Sequence, residues 1–266
     1  MASTEFVDPY LDPETGLLRN KVGAQTKVAL DEAEGDLSFA RLVQLMDHPV
    51  KPTGDLDELR AIHRHLFQDV YDWAGELRTV DIRKNVEGAQ FFLPVSMIGR
   101  AAGYAEGELR ADHELRGMSR EQFIDRLAYH YDQFNYVHPF REGNGRTSKV
   151  FMAHVAEQSP YRFDFPRVSP EQWNAGSAMS RPDMFAYAPE PASLVPVFAA
   201  VTVERTAPPA APDRAAQARS ALSASYPRPA SEATKQTPQQ GTQARPPSAG
   251  YRGPQMPGHG SNVGRD

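Results

Sequence analysis

Cysteine is absent from all 266 residues of the sequence. A disulfide scaffold, a thiolate zinc site and a cysteine nucleophile are therefore excluded together. The start of the chain also lacks an apolar run, and no stretch approaches the ~18 apolar residues that a membrane-spanning helix needs. We therefore expect neither a signal peptide nor a membrane span. A cytoplasmic location is the first expectation, with export as an effector as the alternative.

Basic residues are outnumbered by acidic ones outside the C-terminal quarter of the chain. Residues 1–204 contain 21 Lys and Arg against 31 Asp and Glu, whereas residues 205–266 contain eight against three. An acidic folded region repels a phosphate backbone, so we expect no specific nucleic-acid partner.

Large aliphatic residues are nearly missing from 205–266, which are rich in Pro, Ala, Ser and Gln. Such a segment buries too little apolar surface to offset its ordering entropy, and it is predicted to be a disordered basic tail. We divide the rest into an N-terminal segment, 1–25, and a folded domain, 26–204.

The folded domain is predicted to be helical, because apolar residues recur at helical spacing in four stretches, near 26–46, 59–73, 119–134 and 145–155. Asp55 and Ser119 are candidate N-caps, the latter in a capping box with Gln122, and Gly75 is a candidate stop. Gly35 weakens the prediction that the first stretch is one unbroken helix.

One segment departs from the helical pattern. Residues 77–82 alternate apolar and polar side chains, which favours a strand, and 91–93 could pair with it across a loop at 83–90. The predicted fold class is therefore all-α, a helical bundle with one β-hairpin that leaves a strand edge exposed and is followed by the tail.

The most informative run is His138-Pro-Phe-Arg-Glu-Gly-Asn-Gly-Arg-Thr-Ser-Lys149. Residues 143–145 put flexible backbone at the N-terminus of a helix, where N–H groups and the positive dipole end form an anion site. Arg146 and Lys149 stand three residues apart on the first turn, so both can lean toward the same anion. Two cations and a backbone nest indicate a polyphosphate rather than a carboxylate.

Two further side chains of this run indicate phosphate chemistry. Glu142 would be repelled by bound phosphates unless a divalent cation lay between them, and Mg²⁺ is the usual choice. His138 precedes the nest, and the positive helix end favours the neutral form that a general base requires. Pro139 fixes a backbone angle, and Phe140 is a core anchor for the loop.

Each of these features is ordinary when it occurs alone. A Gly-Asn-Gly sequence is most often a turn, and a single His or Glu is most often structural or solvent-facing. The other histidines do not suggest a rival metal site, because His63 and His65 are two residues apart on a helix and so face different sides.

The run from His138 to Arg146 resembles the core signature of the Fic family, His-Pro-Phe-x-Glu-Gly-Asn-Gly-Arg. Residues 16–23 resemble the N-terminal part of that family, and 62–75 resemble its helix before the hairpin. The similarity covers about 8–203, so 26–204 would be a Fic catalytic domain. The resemblance implies a flap at about 77–93 that docks an extended segment of a target protein by strand addition.

The resemblance also implies an activity and a set of roles. The activity is transfer of AMP from ATP to a Tyr, Thr or Ser hydroxyl of a target protein, with release of pyrophosphate. His138 would deprotonate the hydroxyl, Glu142 would hold Mg²⁺, and Arg146 would stabilise the departing pyrophosphate. Nucleotide binding is assigned to Phe140, Gly143, Asn144, Gly145, Arg146 and Lys149. The family's usual residue at the last position is Arg, and Lys lacks its bidentate fork.

Two alternatives to AMP transfer stay open at this point. One is a related phosphate transfer on the same scaffold, although the kinase branch carries Lys where this chain has Gly145. The other is an inactive interaction protein, against which the intact His138 and Glu142 argue.

Members of the family are often restrained by a helix with the pattern Ser/Thr-x-x-x-Glu-Gly/Asn. Outside the catalytic run, three Glu-Gly pairs occur, at 34–35, 87–88 and 106–107, and the residues four before each Glu are Leu30, Arg83 and Ala102. None fits the pattern. We therefore expect restraint in trans by a small antitoxin-like protein, as in bacterial toxin–antitoxin pairs. The alternative is that no inhibitor exists, because activity is low or the enzyme acts after export.

Overall fold

The computed structural model describes residues 8–84, 91–180 and 190–205. These ranges hold seven α-helices: α1 (Lys27–Asp47), α2 (Leu56–Phe67), α3 (Ile98–Ala111), α4 (Arg120–Val137), α5 (Asn144–Ala156), α6 (Pro170–Met179) and α7 (Val195–Val201). They also hold one antiparallel strand pair, β1 (Tyr161–Phe163) and β2 (Thr202–Glu204), with Tyr161 opposite Glu204. The predicted helical fold class is confirmed.

The predicted helix starts are confirmed by their capping contacts. The Asp55 carboxylate accepts the Glu58 N–H at 3.0 Å, and Ser119 and Gln122 form a reciprocal capping box. α1 runs unbroken through Gly35. A glycine inside a helix costs only about 1 kcal/mol, which the burial of leucines on one face of α1 offsets.

The core lies around α4, which packs against α3, α5 and α7, while α2 packs between α1 and α5. Phe123, Leu127 and Phe134 of α4 are fully buried. Phe134 meets Phe151 of α5 edge to face at a centroid distance of 5.0 Å, a geometry that aromatic pairs favour. This packing fixes α5, whose first turn carries the predicted anion site.

Helix α3 was not predicted from the sequence because of its composition. It contains three glycines, yet its buried residues Ile98, Ala102, Ala105 and Leu109 follow helical spacing. Small residues give a weak apolar signal, so tertiary packing decides this element. α6 and α7 span ten and seven residues, and both start beside a proline at the first or second position.

The predicted strand over 77–82 is wrong. The two arms meet instead through an isolated antiparallel bridge between Arg83 and Phe91, with the Phe92 N–H donating to the Ile82 carbonyl at 3.0 Å. The first arm is held by other partners, because the Arg78 N–H donates to the Pro139 carbonyl and the Thr79 N–H to the Tyr10 hydroxyl. We call 77–84 and 91–93 the arms of the flap; the intervening 85–90 lie outside the described residues.

The N-terminal segment is tied to the domain near the flap. The Asp8 carboxylate pairs with Arg141 of the predicted site loop at 3.0 Å, and Tyr10 packs edge to face on Trp73. The predicted tail lies outside the described residues except for Arg205, so its start remains a prediction. Within the described ranges, no helix combines the length and apolarity needed to cross a bilayer.

Candidate functional site

The loop between α4 and α5 carries the predicted catalytic run. His138 ends α4 in the left-handed conformation, with φ 46°, and its N–H donates to the Phe134 carbonyl at 3.1 Å. Gly143 starts α5 with φ 79°, and a Cβ there would lie 2.4 Å from the Phe67 ring. Glycine is therefore required at 143 both for its backbone angle and for its close approach to α2.

Asn144 braces the loop. Its Oδ1 accepts the Phe140 N–H at 2.9 Å, and its Nδ2 donates to the Phe140 carbonyl at 2.8 Å. The Phe140 ring is fully buried and stacks on His63 at a centroid distance of 4.0 Å. Phe140 thus contributes to the site through its backbone, which Asn144 holds in place, while the Phe140 ring is part of the core.

His63 supports the loop from beneath. Its Nδ1 accepts the Gly75 N–H at 2.8 Å, so the proton sits on Nε2, which donates to the Glu142 carbonyl at 3.0 Å. Burial lowers the pKa of His63 to about 3, which keeps the ring neutral. The sequence offered no sign of this role beyond the position of His63 on the buried face of α2.

The predicted base, His138, has a defined tautomer. Its Nδ1 lies 3.1 Å from the Asn135 carbonyl, which can only accept, so Nδ1 carries the proton and Nε2 is the basic nitrogen. The ring stacks face to face on Phe92 of the flap, at a centroid distance of 3.6 Å and an angle of 12°. The ring orientation is therefore set from both sides.

The first predicted cation, Arg146, is buried and paired with α1. Its guanidinium donates to the Glu34 carboxylate and, at 3.1 Å, to the Ser38 hydroxyl, and it lies over the Phe67 ring at 4.5 Å. The Tyr71 hydroxyl donates to the same carboxylate. Burial, followed by the charge of Glu34, raises the pKa of Tyr71, which stays a neutral donor.

Glu34 also lies in the site, although the sequence alone did not assign it there. Its Glu-Gly pair does not fit the family's inhibitory pattern, because Leu30 occupies the place of the Ser or Thr, yet its carboxylate accepts a hydrogen bond from Arg146. A signal was present, since Leu30, Glu34 and Ser38 recur every four residues on the buried face of α1. A carboxylate on a buried helix face indicates a specific cationic partner.

The second predicted cation, Lys149, is 3% exposed. Its ammonium lies 4.3 Å from the centroid of the Trp173 ring and 5.8 Å from that of Phe165, within the range of cation–π attraction. Burial, reinforced by the nearby charge of Arg146, lowers the pKa of Lys149 to about 7. The charge at this position is therefore sensitive to pH near neutrality.

Glu142 lies at the mouth of the site. Its side chain is 46% exposed, its Oε1 accepts the Gly143 N–H at 3.0 Å, and the same oxygen lies 4.0 Å from Arg146 Nη2. The described residues contain no cluster of three or more side chains that could hold a metal. A single carboxylate nevertheless fits Mg²⁺ that arrives with a nucleotide, because phosphates and water supply its other oxygens.

The N-terminal turn of α5 is open at Gly145. This residue is exposed, and a Cβ built on it would meet no atom within 4 Å. The first N–H groups of a helix have no partner within it, and the positive dipole end adds to their attraction for anions. An open backbone turn therefore lies beside Glu142 and Arg146 at the end of the loop that starts at His138.

The sequence profile of the Fic/DOC family matches residues 53–156, which include the whole run from His138 to Lys149. The "Probable protein adenylyltransferase Fic" of Escherichia coli is 32% identical over 167 residues, which cover 63% of this chain and 81% of that protein. The "Probable protein adenylyltransferase y4lH" of Sinorhizobium fredii is 37% identical over 169 residues, 62% of this chain and 84% of that protein. The chain belongs to the Fic/DOC family, which confirms the resemblance.

Other similar proteins are longer. Protein adenylyltransferase VbhT of Bartonella schoenbuchensis is 35% identical over 173 residues, which is 65% of this chain and 36% of that protein. The chain thus spans about a third of that relative and most of the E. coli one.

Solved structures agree on the fold. The N-terminal Fic domain of a VirB-translocated effector protein from Bartonella quintana, with bound ADP, has a TM-score of 0.65 and 26% identity, covering 73% of this chain and 94% of that one. The BepC protein of Bartonella tribocorum has a TM-score of 0.66 and 22% identity, covering 74% and 97%. The expected Fic fold is confirmed.

Proposed function

We propose that this chain transfers AMP from ATP to a side-chain hydroxyl of a target protein and releases pyrophosphate. One observation carries the proposal. A histidine whose tautomer makes Nε2 its basic nitrogen stands at one end of a loop, and an open helix N-terminus stands at the other. The names of the relatives as protein adenylyltransferases, and the ADP bound to a solved neighbour, support this reading.

The chemistry follows from this arrangement. The target hydroxyl oxygen attacks the α-phosphorus, and its proton passes to Nε2 of His138. The bond between the α-phosphorus and the oxygen that bridges to the β-phosphorus breaks, and pyrophosphate leaves with the electron pair. The ordered loop contributes by placing base and phosphate in a fixed relation before the reaction.

Positive charge to stabilise the leaving pyrophosphate would come from three sources: the N-terminus of α5, two cationic side chains and a bound metal ion. The backbone N–H groups of 144 and 145 would face the phosphates, joined by that of Gly143 once it leaves the Glu142 carboxylate, and Arg146 and Lys149 would add two cations behind them. Arg146 keeps Glu34 as a counter-ion, so its net attraction for phosphate is reduced, and Lys149 acts as the further cation. Glu142 would hold Mg²⁺, which supplies positive charge to the phosphate oxygens when bound.

The target is proposed to dock along the flap, at about 77–93, by adding an extended segment to its edge. Phe91 supports this proposal, because 56% of a large apolar side chain is exposed on the second arm. Phe92, the next residue, stacks on His138, so a segment seated on this arm lies close to the base.

Restraint in trans by a small antitoxin-like protein is part of the same proposal. Glu34 pairs with Arg146, whereas the inhibitory glutamate of the family pairs with the last cation of the run, which is Lys149 here. Expression of the intact chain in a bacterial host, beside His138→Ala, tests this. Growth arrest by the intact chain alone, relieved by a co-expressed small neighbouring gene, would support it, and equal growth of both strains with soluble, ATP-binding protein would contradict it.

The activity itself is tested by incubating the purified chain with α-labelled ATP, Mg²⁺ and a cell lysate. We expect a labelled protein band that is absent with His138→Ala. Loss of the band supports the proposal only if the melting temperature of His138→Ala is unchanged, because a misfolded variant would also give no labelled band. Lack of any labelled band with intact, ATP-binding chain would count against the proposal.

A further inference from the structure

Arg78 lies at the foot of the first flap arm with a side chain that is 0% exposed. An arginine is almost never fully buried unless its charge and its five N–H donors are satisfied. Its nearest carboxylate, Asp81, is 3.6 Å away and 54% exposed. The surroundings of the guanidinium are therefore mainly backbone carbonyls.

These carbonyls come from three separate segments. Nε donates to the carbonyl of His138 at 2.8 Å, Nη1 to that of Val80 at 2.8 Å, and Nη2 to that of Leu93. Val80 lies in the first flap arm, Leu93 lies in the second, and His138 lies at the start of the loop between α4 and α5. One rigid, planar group therefore joins both arms of the flap to the backbone of the predicted base.

Two further contacts strengthen the same junction. The Arg78 backbone N–H donates to the Pro139 carbonyl at 2.9 Å, and the Leu93 N–H donates to the Tyr136 carbonyl at 3.3 Å. The Phe92 ring, beside Leu93, stacks on the His138 ring. Movement of the second arm would therefore disturb both the backbone and the ring of His138.

The backbone of His138 needs such support. With φ 46°, it lies in the left-handed region, which is strained for a non-glycine residue and is maintained only when its surroundings fix it. The bond from Arg78 Nε to the His138 carbonyl contributes to this, together with the bond from the His138 N–H to the Phe134 carbonyl.

We propose that Arg78 is a positioning residue that sets the orientation of His138 and the position of the target-docking flap together. This inference rests on the proposed function for its catalytic consequence, but the coupling itself is a property of the fold. The inference predicts that the Arg78 side chain fixes the position of a flap-bound target relative to His138, the base that receives its proton.

Arg78→Lys keeps the charge but cannot reach three carbonyls, and Arg100→Lys, at an exposed arginine of α3 outside the flap, is the matched control. In Arg78→Lys we expect faster hydrogen exchange confined to the amides of 78, 79, 92, 93 and 138, and a mixed His138 tautomer by nitrogen NMR. ATP affinity should stay within about twofold, while kcat for AMP transfer falls ~10²-fold, as for a reacting group misplaced by about 1 Å. Arg100→Lys should match the wild type in all four measurements.

A folded Arg78→Lys chain with an unchanged tautomer and unchanged local exchange would overturn the inference, and so would exchange that rises equally throughout the domain. If the variant does not fold, native-state exchange of the wild-type chain decides. The five amides should then open with one shared free energy, and flap amides that open independently of His138 would contradict the coupling. Absence of AMP transfer by the wild type would reject the proposed function. The hydrogen-exchange and tautomer measurements would still test the coupling.

Discussion

The carboxylate of Glu34 in α1 and the guanidinium of Arg146 in α5 form a buried ion pair in which each side chain is 7% exposed. The pair joins the first helix of the domain to the first turn of the predicted phosphate site. Arg146 therefore has a counter-ion before any nucleotide binds, and nucleotide phosphates must share or replace it.

Glu34→Gln is expected to lower the melting temperature, because removing one partner of a buried ion pair typically costs about 3–5 kcal/mol. It should also enlarge the rise in melting temperature that saturating Mg–ATP produces, since phosphate then becomes the main counter-charge of Arg146. Differential scanning fluorimetry of both chains measures this. An ATP-induced rise equal to or smaller than that of the wild type would show that Glu34 only orients Arg146.

Lys149 is predicted to make ATP binding dependent on pH. Its pKa of about 7 lies below the ordinary 10.5, so the ammonium is mostly charged at about pH 6 and mostly neutral at about pH 8.5. ATP binding should therefore take up a proton and weaken as the pH rises, by at most about tenfold per pH unit. Calorimetric titration in buffers of different ionisation enthalpy measures the proton uptake.

Lys149→Arg separates this effect from the titration of ATP itself, which is common to both chains. Arginine stays protonated and can bind phosphate through two N–H groups, so activity should be kept or raised and the pH profile should flatten. A parallel pH profile in the two chains would contradict the assigned role of Lys149, as would a strong fall in kcat/KM of the variant.

Glu142→Gln tests the metal. The amide is nearly the same size as the carboxylate but lacks its charge, so we expect the Mg²⁺ concentration for half-maximal AMP transfer to rise by at least about tenfold. Nucleotide binding without Mg²⁺ should be unchanged or improved, because a negative charge beside the phosphates has been removed. An unaltered Mg²⁺ dependence would show that Glu142 does not hold the metal.

The sequence was most informative where chemistry depends on consecutive residues. The run from His138 to Lys149 specified both the loop and the helix that follows it, and the caps at Asp55 and Ser119 specified where two further helices begin. These features are local, since each is a backbone angle or hydrogen bond made within about four residues.

Features that depend on long-range contact could not be predicted in this way. Glu34 lies 112 residues before Arg146, and the first flap arm is not a strand because its N–H groups find partners at Tyr10 and Pro139. Arg78 reads in the sequence as a polar residue in an alternating strand, but it is fully buried at the junction of three segments.

The predicted tail is 205–266, and removal of 206–266, which keeps the bonds of Arg205 to Pro160 and Tyr161, tests whether the rest of it contributes to the folded domain. A segment that buries little apolar surface contributes little to stability, so the melting temperature and ATP affinity of residues 1–205 should match those of the full chain within error. A marked fall in either would place part of the domain beyond residue 205.

The central claim is AMP transfer with His138 as the base, and the position of the transferred label tests it most directly. A target band found with lysate should be incubated with ATP labelled in the α-phosphate and, separately, with ATP labelled in the γ-phosphate. The account predicts that only the α-label is retained, and that His138→Ala reduces the rate by ~10²–10⁴-fold at an unchanged melting temperature. Retention of the γ-label, or full activity of the folded His138→Ala chain, would contradict it.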